Sequence, residues 1–263
     1  MESKAHHILV LSDLGVATEA TVKSAISLAN MIQGNIELFH VKRAGDIVHK
    51  ENQLSAMRSI NEEKSSTKKR IQELIQPISE AYGIEIPFNF AFGNVKNEIA
   101  SHIKESRPDI IVIGKKESKL LGLGSDGLTQ FVMEEFKVIL MIVGSENSLE
   151  PKQPLSLGVF NGNFPSFAGR LLAYTEQPLK SFKIANGDVA KEEQTDAYET
   201  VEYVFESGDQ SIKNMSSYLS KSNVNLFCVD RGRTKTGQEV KTKHSDITNI
   251  VNNFNISLLI SAQ

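Results

Sequence analysis

Glycine is concentrated in one run, Gly114-Lys115-Lys116-Glu117-Ser118-Lys119-Leu120-Leu121-Gly122-Leu123-Gly124-Ser125-Asp126-Gly127-Leu128-Thr129, which leads into a helical pattern. Glycines ahead of a helix N-terminus let backbone N–H groups turn toward an anion, and the helix dipole favours negative charge there. The chemistry such a loop offers is phosphate binding. A surface connection has the same composition, so the loop alone does not assign a ligand. A second candidate is Asp13, which follows Ser12 at the end of an apolar run. Action of this pair on a phosphoryl group would need a recruited metal, and a surface or capping role suits Ser12 better.

Other catalytic patterns are sparse. The six histidines, His6, His7, His40, His49, His102 and His244, show no His-x-x-x-His or similar ligand spacing, which argues against a metal site. There is no Gly-x-Ser-x-Gly elbow, no Gly-Lys-[Ser/Thr] loop and no Cys-centred motif. The single cysteine, Cys228, excludes an internal disulfide framework and fits a reducing cytoplasm. It reads as a small buried apolar residue in a strand.

These candidates need a scaffold, and the 263 residues suffice for one large core or two ordinary domains. With 40% hydrophobic and 23% charged residues, the composition is globular. The 29 basic and 32 acidic residues leave a net charge of −3 and no large positive field, so nucleic acid is not the expected partner. The start, Met1-Glu2-Ser3-Lys4-Ala5-His6-His7, lacks an apolar signal core, and nowhere are about 18 apolar residues consecutive. A cytoplasmic location without membrane attachment is expected.

Ile8-Leu9-Val10-Leu11 is a continuous apolar run of the kind that forms a strand buried on both faces of a parallel sheet. Val22, Ala25, Ile26, Ala29 and Ile32 follow at helical spacing, with Gly34 placed to end the helix, and Ile36 to Val41 form the next strand. This is a βαβ unit. Residues 50–81 carry a helical stripe with a kink or break expected at Pro77, and their Lys68-Lys69-Arg70 cluster reads as a solvated face. Strands are predicted at Ile86–Phe92, Asp109–Gly114 and Val138–Val143, with helices at Val95–Ile103 and Phe131–Phe136 between them.

The stretch Gly144–Pro154 is polar and turn-rich, and the residues beyond it repeat the pattern of the first half. Strands are predicted at Leu155–Phe160, Ser181–Ala185, Val201–Phe205, Val224–Val229 and Ile256–Ile260, with a helix marked by Phe167, Leu171, Leu172 and Tyr174. Ile99 to Gly114 and Met215 to Asp230 both span 15 positions, each running from a helix stripe to a strand end. The expected fold is α/β: two tandem open-sheet, doubly wound, Rossmann-like domains, 1–146 and 152–263. Each has five mostly parallel strands in the order 3-2-1-4-5, and a pseudo-twofold axis relates the two. Paired fifth strands would hide two open sheet edges.

The chain resembles the universal stress protein family. The resemblance rests on the strand-end aspartate in Ile8-Leu9-Val10-Leu11-Ser12-Asp13, on Pro108-Asp109-Ile110-Ile111-Val112-Ile113-Gly114, and on the glycine loop before the last helix and strand. It covers nearly all of residues 5–144 and, more faintly, 155–263. ATP-binding members carry Gly-x2-Gly-x9-Gly-[Ser/Thr], and Gly114 and Gly127 match its first and third glycines. Glu117 stands at the second glycine and Leu128 at the hydroxyl position, with Thr129 next and Ser125 near. A carboxylate in that loop repels a phosphate.

By this resemblance, the candidate nucleotide-binding residues are Asp13 on the adenosine side, the Val41 backbone near the adenine, and Gly114, Gly127 and Thr129 on the phosphate side. Asn161, Asp230 and Lys243-His244 replace the corresponding residues of the second half, so ATP is expected in the first domain only. The resemblance implies two alternative functions. One is a non-enzymatic stress-response regulator that binds a protein partner, with a homodimer allowed. The other is an ATP-binding switch or weak ATP hydrolase in the first domain.

Overall fold

The computed structural model describes residues 5–43, 53–115, 127–145, 148–162, 166–175, 177–185, 199–231 and 244–262. The first half runs β1 (His6–Ser12), α1 (Thr18–Ile32), β2 (Gly34–Lys42), α2 (Gln53–Tyr82), β3 (Phe88–Phe92), α3 (Val95–Ser106), β4 (Ile110–Gly114), α4 (Gly127–Glu135), β5 (Ile139–Val143). The second half runs β6 (Leu157–Phe160), a 3-10 helix (Ser166–Tyr174), β7 (Leu179–Ala185), β8 (Thr200–Glu206), α5 (Ser211–Leu219), β9 (Leu226–Val229), α6 (His244–Asn253) and β10 (Ser257–Ile260).

The ten strands among the described residues form one sheet in the order β3-β2-β1-β4-β5-β10-β9-β6-β7-β8. Each half therefore has the order 3-2-1-4-5, and every pairing within a half is parallel. The halves join through β5 and β10, paired antiparallel with Met141 opposite Leu259, as a pseudo-twofold relation requires. Neither fifth strand is left as an open edge.

The apolar runs are buried on both faces, which is why their strands lack polar alternation. Ile8, Val10, Ile36 and Leu38 belong to the core under α1 and α2, while Leu9, Leu11 and Phe39 belong to the core under α3 and α4. Both cores continue across the junction, through Met141 and Leu259 on one face and Leu140 and Leu258 on the other. Ile99 and Met215, the paired stripe residues of the repeat, are buried on α3 and α5. Cys228 is fully buried in β9.

Several local expectations are corrected. Gly34 does not end α1. Gln33 takes the left-handed conformation at φ 58, and Gly34 opens β2 against β1, where a side chain would meet Ile8 Cδ1 at 2.8 Å and the His6 carbonyl oxygen at 3.1 Å. Pro77 does not break α2, which continues to Tyr82. An interior proline costs roughly 3 kcal/mol, but Ile71, Ile75 and Ile78 are buried along one face on both sides of it. Each such residue contributes roughly 1.5–3 kcal/mol, so the helix persists. The segment marked by Phe167 to Tyr174 is a 3-10 helix rather than a counterpart of α1. Among the described residues the second half has no equivalent of α2. Strands β3, β6 and β9 begin two residues later than predicted, at Phe88, Leu157 and Leu226.

Candidate functional site

The order 3-2-1-4-5 reverses at β1 and β4, and ligands of open parallel sheets bind beyond the strand ends at that reversal. A cleft of about 1190 Å³ lies there, bordered by Asp13, Val41, Gly114 and Gly127. The structure thus brings four of the five candidate residues to one cavity. Thr129 is placed differently: it is buried in the first turn of α4 and is not on the cleft wall, which Leu128 reaches instead. Glu117, Gly122, Gly124 and Ser125 lie outside the described residues.

The β1–α1 turn is held by its own side chains. Asp13 Oδ1 accepts the Gly15 N–H at 2.9 Å, and Ser12 Oγ accepts the Leu14 N–H at 3.0 Å while meeting the Thr18 hydroxyl at 2.9 Å. These bonds support the left-handed backbone of Leu14, φ 56, a conformation that costs a non-glycine residue about 1 kcal/mol or more. Arg70 of α2 adds a bond from Nη2 to the Leu14 carbonyl at 3.0 Å. Lys68 and Lys69 are exposed, as a solvated face requires, but Arg70 belongs to the cleft.

Gly114 is a glycine for a steric reason. A Cβ there would lie closer than 3.0 Å to the Thr21 hydroxyl oxygen, itself donating to the Ala17 carbonyl at 2.7 Å. The strand end therefore packs flush against the first turns of α1. Among the described residues, a Cβ on Gly127 would meet only Lys96 Nζ, at 4.0 Å, so an ammonium lies beside the start of α4.

Among the described residues the cleft's charge is mostly positive. Lys42, Arg43, Arg70, Lys96 and Lys115 border it, against Asp13 and Glu63. Lys42 is paired with Glu63 and holds that carboxyl below its ordinary value. Lys96 Nζ lies 5.3 Å from the Phe131 ring centroid. His40 is only 7% exposed, and burial holds it below its ordinary value. Its Nδ1 faces the Ser12 carbonyl oxygen at 2.9 Å, which selects the neutral tautomer donating from Nδ1. A neutral ring among cations leaves the field suited to an anionic ligand.

The second half uses the same places otherwise. Asn161, φ 53, turns the chain after β6, and its Oδ1 accepts the Ile184 N–H at 3.3 Å. Asp230, at the position matching Gly114, accepts the Ser261 hydroxyl at 2.7 Å. Arg231, the first residue of the basic loop that the sequence suggests at Arg231-Gly232-Arg233-Thr234-Lys235-Thr236-Gly237, donates to the carbonyls of Ser261, Met133 and Val138 at 2.6, 3.2 and 3.1 Å. The rest of that loop through Gly237, and Lys243, lie outside the described residues, while His244 opens α6.

Sequence reasoning missed His40, Thr21, Arg70 and Lys96. Glu63, Thr67 and Arg70 do recur at helical spacing on α2, a polar stripe that could have been noticed. Nothing local marks Lys96. Among the described residues no group of three or more His, Cys, Asp or Glu could hold a metal ion, and no helix is long and apolar enough to cross a membrane.

Comparison with known proteins agrees with the fold. The model of the universal stress protein family matches residues 4–148. A universal stress protein from Archaeoglobus fulgidus has a similar structure, with a TM-score of 0.68 at 14% identity, over 98% of this chain and 96% of that one. A Pseudomonas aeruginosa protein of unknown function matches with a TM-score of 0.58 at 10% identity, over 98% and 92%. At such identities the likeness is one of fold. No curated protein matches. The family match covers residues 4–148, more than half of the 263, and the chain therefore belongs to the universal stress protein family.

Proposed function

We propose that the protein is a non-enzymatic regulatory binding protein whose first half takes one anionic nucleotide. On this reading residues 1–146 are the ligand-binding domain and residues 152–263 a fused partner domain. The observation that carries it is the cleft: Asp13, Val41, Gly114 and Gly127 border one cavity together with five cationic side chains. ATP fits the donor set. Lys96 and the α4 N-terminus suit phosphate oxygens, and the Val41 backbone and Asp13 suit the nucleoside side.

The described side chains of the cleft are suited to holding rather than reacting. The Ser12 hydroxyl is engaged by Leu14 and Thr18, and the proton on His40 Nδ1 is directed at a backbone carbonyl. A nucleophile needs an adjacent base, and the bonds of the Ser12 hydroxyl run to Thr18 and the Leu14 N–H. In the second half, Asp230 and Arg231 are bonded within the protein, which supports a single site.

Isothermal titration with ATP and Mg²⁺ tests the reading. The expected result is one ATP bound per chain with micromolar affinity, lost in Gly127→Val, without phosphate release. No heat on titration would leave the protein-partner role and remove the nucleotide.

A further inference from the structure

We propose that Arg231, in the second half, is a positioning residue for the ligand cleft of the first half: it caps the C-terminal end of α4, the helix whose N-terminal end borders that cleft. The inference rests on the ligand reading above and adds its dependence on the partner domain.

The last carbonyls of a helix have no partner within it and must find donors elsewhere. In α4 (Gly127–Glu135) the Met133 carbonyl takes Arg231 Nη1 at 3.2 Å, and beyond the helix the Val138 carbonyl takes Nη2 at 3.1 Å. The guanidinium is fixed on its own side. Nε donates to the Ser261 carbonyl at 2.6 Å and the Arg231 N–H to the Ser261 hydroxyl at 2.6 Å. The planar fork thus bridges the end of β10 to the end of α4, with its cation at the negative end of the helix dipole. Val132 and Met133 bury the helix face between. Nine residues of helix are short and stiff, so fixing one end restrains the other.

The opposite residue of the repeat makes the reciprocal contact. Lys115 follows β4 as Arg231 follows Asp230 after β9, and it borders the cleft. Its Nζ donates to the Phe254 carbonyl at 2.6 Å and the Asn252 carbonyl at 3.3 Å, at the C-terminal end of α6. Gly144 also borders the cleft and passes so close to the Asn255 carbonyl that no Cβ would fit. Three parts of the cleft wall, at α4, Lys115 and Gly144, are therefore seated on the second half. Ordering of the wall and seating of the second half become linked, and so does any ligand that needs the wall.

The test compares the full-length chain with Arg231→Met and Arg231→Lys. It reads ATP affinity with Mg²⁺ by titration, and hydrogen exchange of the amides of residues 127–135 without nucleotide. Arg231→Met is expected to weaken ATP roughly fivefold or more and to speed exchange in α4, with Arg231→Lys intermediate. Phe182→Leu, buried in β7 against Tyr203, Phe205 and Phe227 and three strands away from β10, serves as a control that lowers Tm but leaves ATP affinity unchanged. Unchanged ATP affinity in Arg231→Met, or α4 exchange equal to that of the unmodified chain, overturns the proposal. If Arg231→Met does not fold, Arg231→Lys decides by the same readings. If the unmodified chain binds no ATP, the ligand reading fails, and α4 exchange alone decides for or against the positioning role.

Discussion

Gly114→Ala separates the two reasons for a glycine at the end of β4. The added methyl would lie closer than 3.0 Å to Thr21 Oγ1 and 3.4 Å from Ala17 Cβ. Thr21 is 2% exposed, and its hydroxyl donates to the Ala17 carbonyl at 2.7 Å, so it cannot turn away without abandoning a buried bond. Overpacking a tight site costs about 1–3 kcal/mol, and a buried hydroxyl left unpaired costs a similar amount. The alanine recovers about 0.4–1 kcal/mol through a less flexible unfolded chain. The net expectation is a loss of about 2 kcal/mol. Thr21→Ala alone should lose about 1 kcal/mol, from one hydrogen bond and some packing. In the double variant the clash is gone, so the combined loss should fall short of the sum by about 1 kcal/mol or more. Urea unfolding of all four proteins measures the cycle, and ATP titration of the double variant asks whether the methyl alone blocks the ligand. A Gly114→Ala loss below about 0.5 kcal/mol, or strict additivity, would refute the packing argument.

Other outcomes depend on burial. His40 sits below its ordinary value because of burial, so the unfolded chain takes up the proton first as pH falls. Its contribution is steady above about pH 6.5, and stability declines as pH drops below that; urea unfolding from about pH 7.5 to 5.5 should show a flatter profile in His40→Asn. The thiol of Cys228 is pushed up to about 12 by burial, so a thiol reagent near neutral pH should label the native protein only at its unfolding rate, and prompt labelling would contradict the buried placement. Gly144→Ala would drive a methyl into the Asn255 backbone, which no side-chain rotation relieves. The expected effect is a fall in Tm of roughly 5–10 °C by calorimetry, and an unchanged Tm would refute the close approach.

Much of the architecture is legible in short stretches of sequence. Unbroken apolar runs such as Ile8–Leu11 and Ile110–Ile113 state that both faces of a strand are buried, which only a covered parallel sheet provides. The matched spacing of Ile99 to Gly114 and Met215 to Asp230 encodes the duplication. Asp13, Gly114 and Gly127 were findable because each lies at a strand end or helix start, and topology carries those ends to one place.

What periodicity cannot encode is where a side chain finds a partner remote in the sequence. Arg231 and Val138 are 93 positions apart and Lys115 and Phe254 are 139 apart, and they meet only because β5 and β10 pair antiparallel. Likewise, the apolar stripe through Ile75 and Ile78 shows which face of α2 is buried but not that its burial outweighs the cost of Pro77. Nothing near Lys96 announces a helix start beside it. Sequence by itself determined which residues are buried and the order of the elements, because those depend on local pattern. Tertiary structure decided the charges around the cleft and the seating of its walls on the second half, because those depend on distances between segments that the chain brings together only on folding.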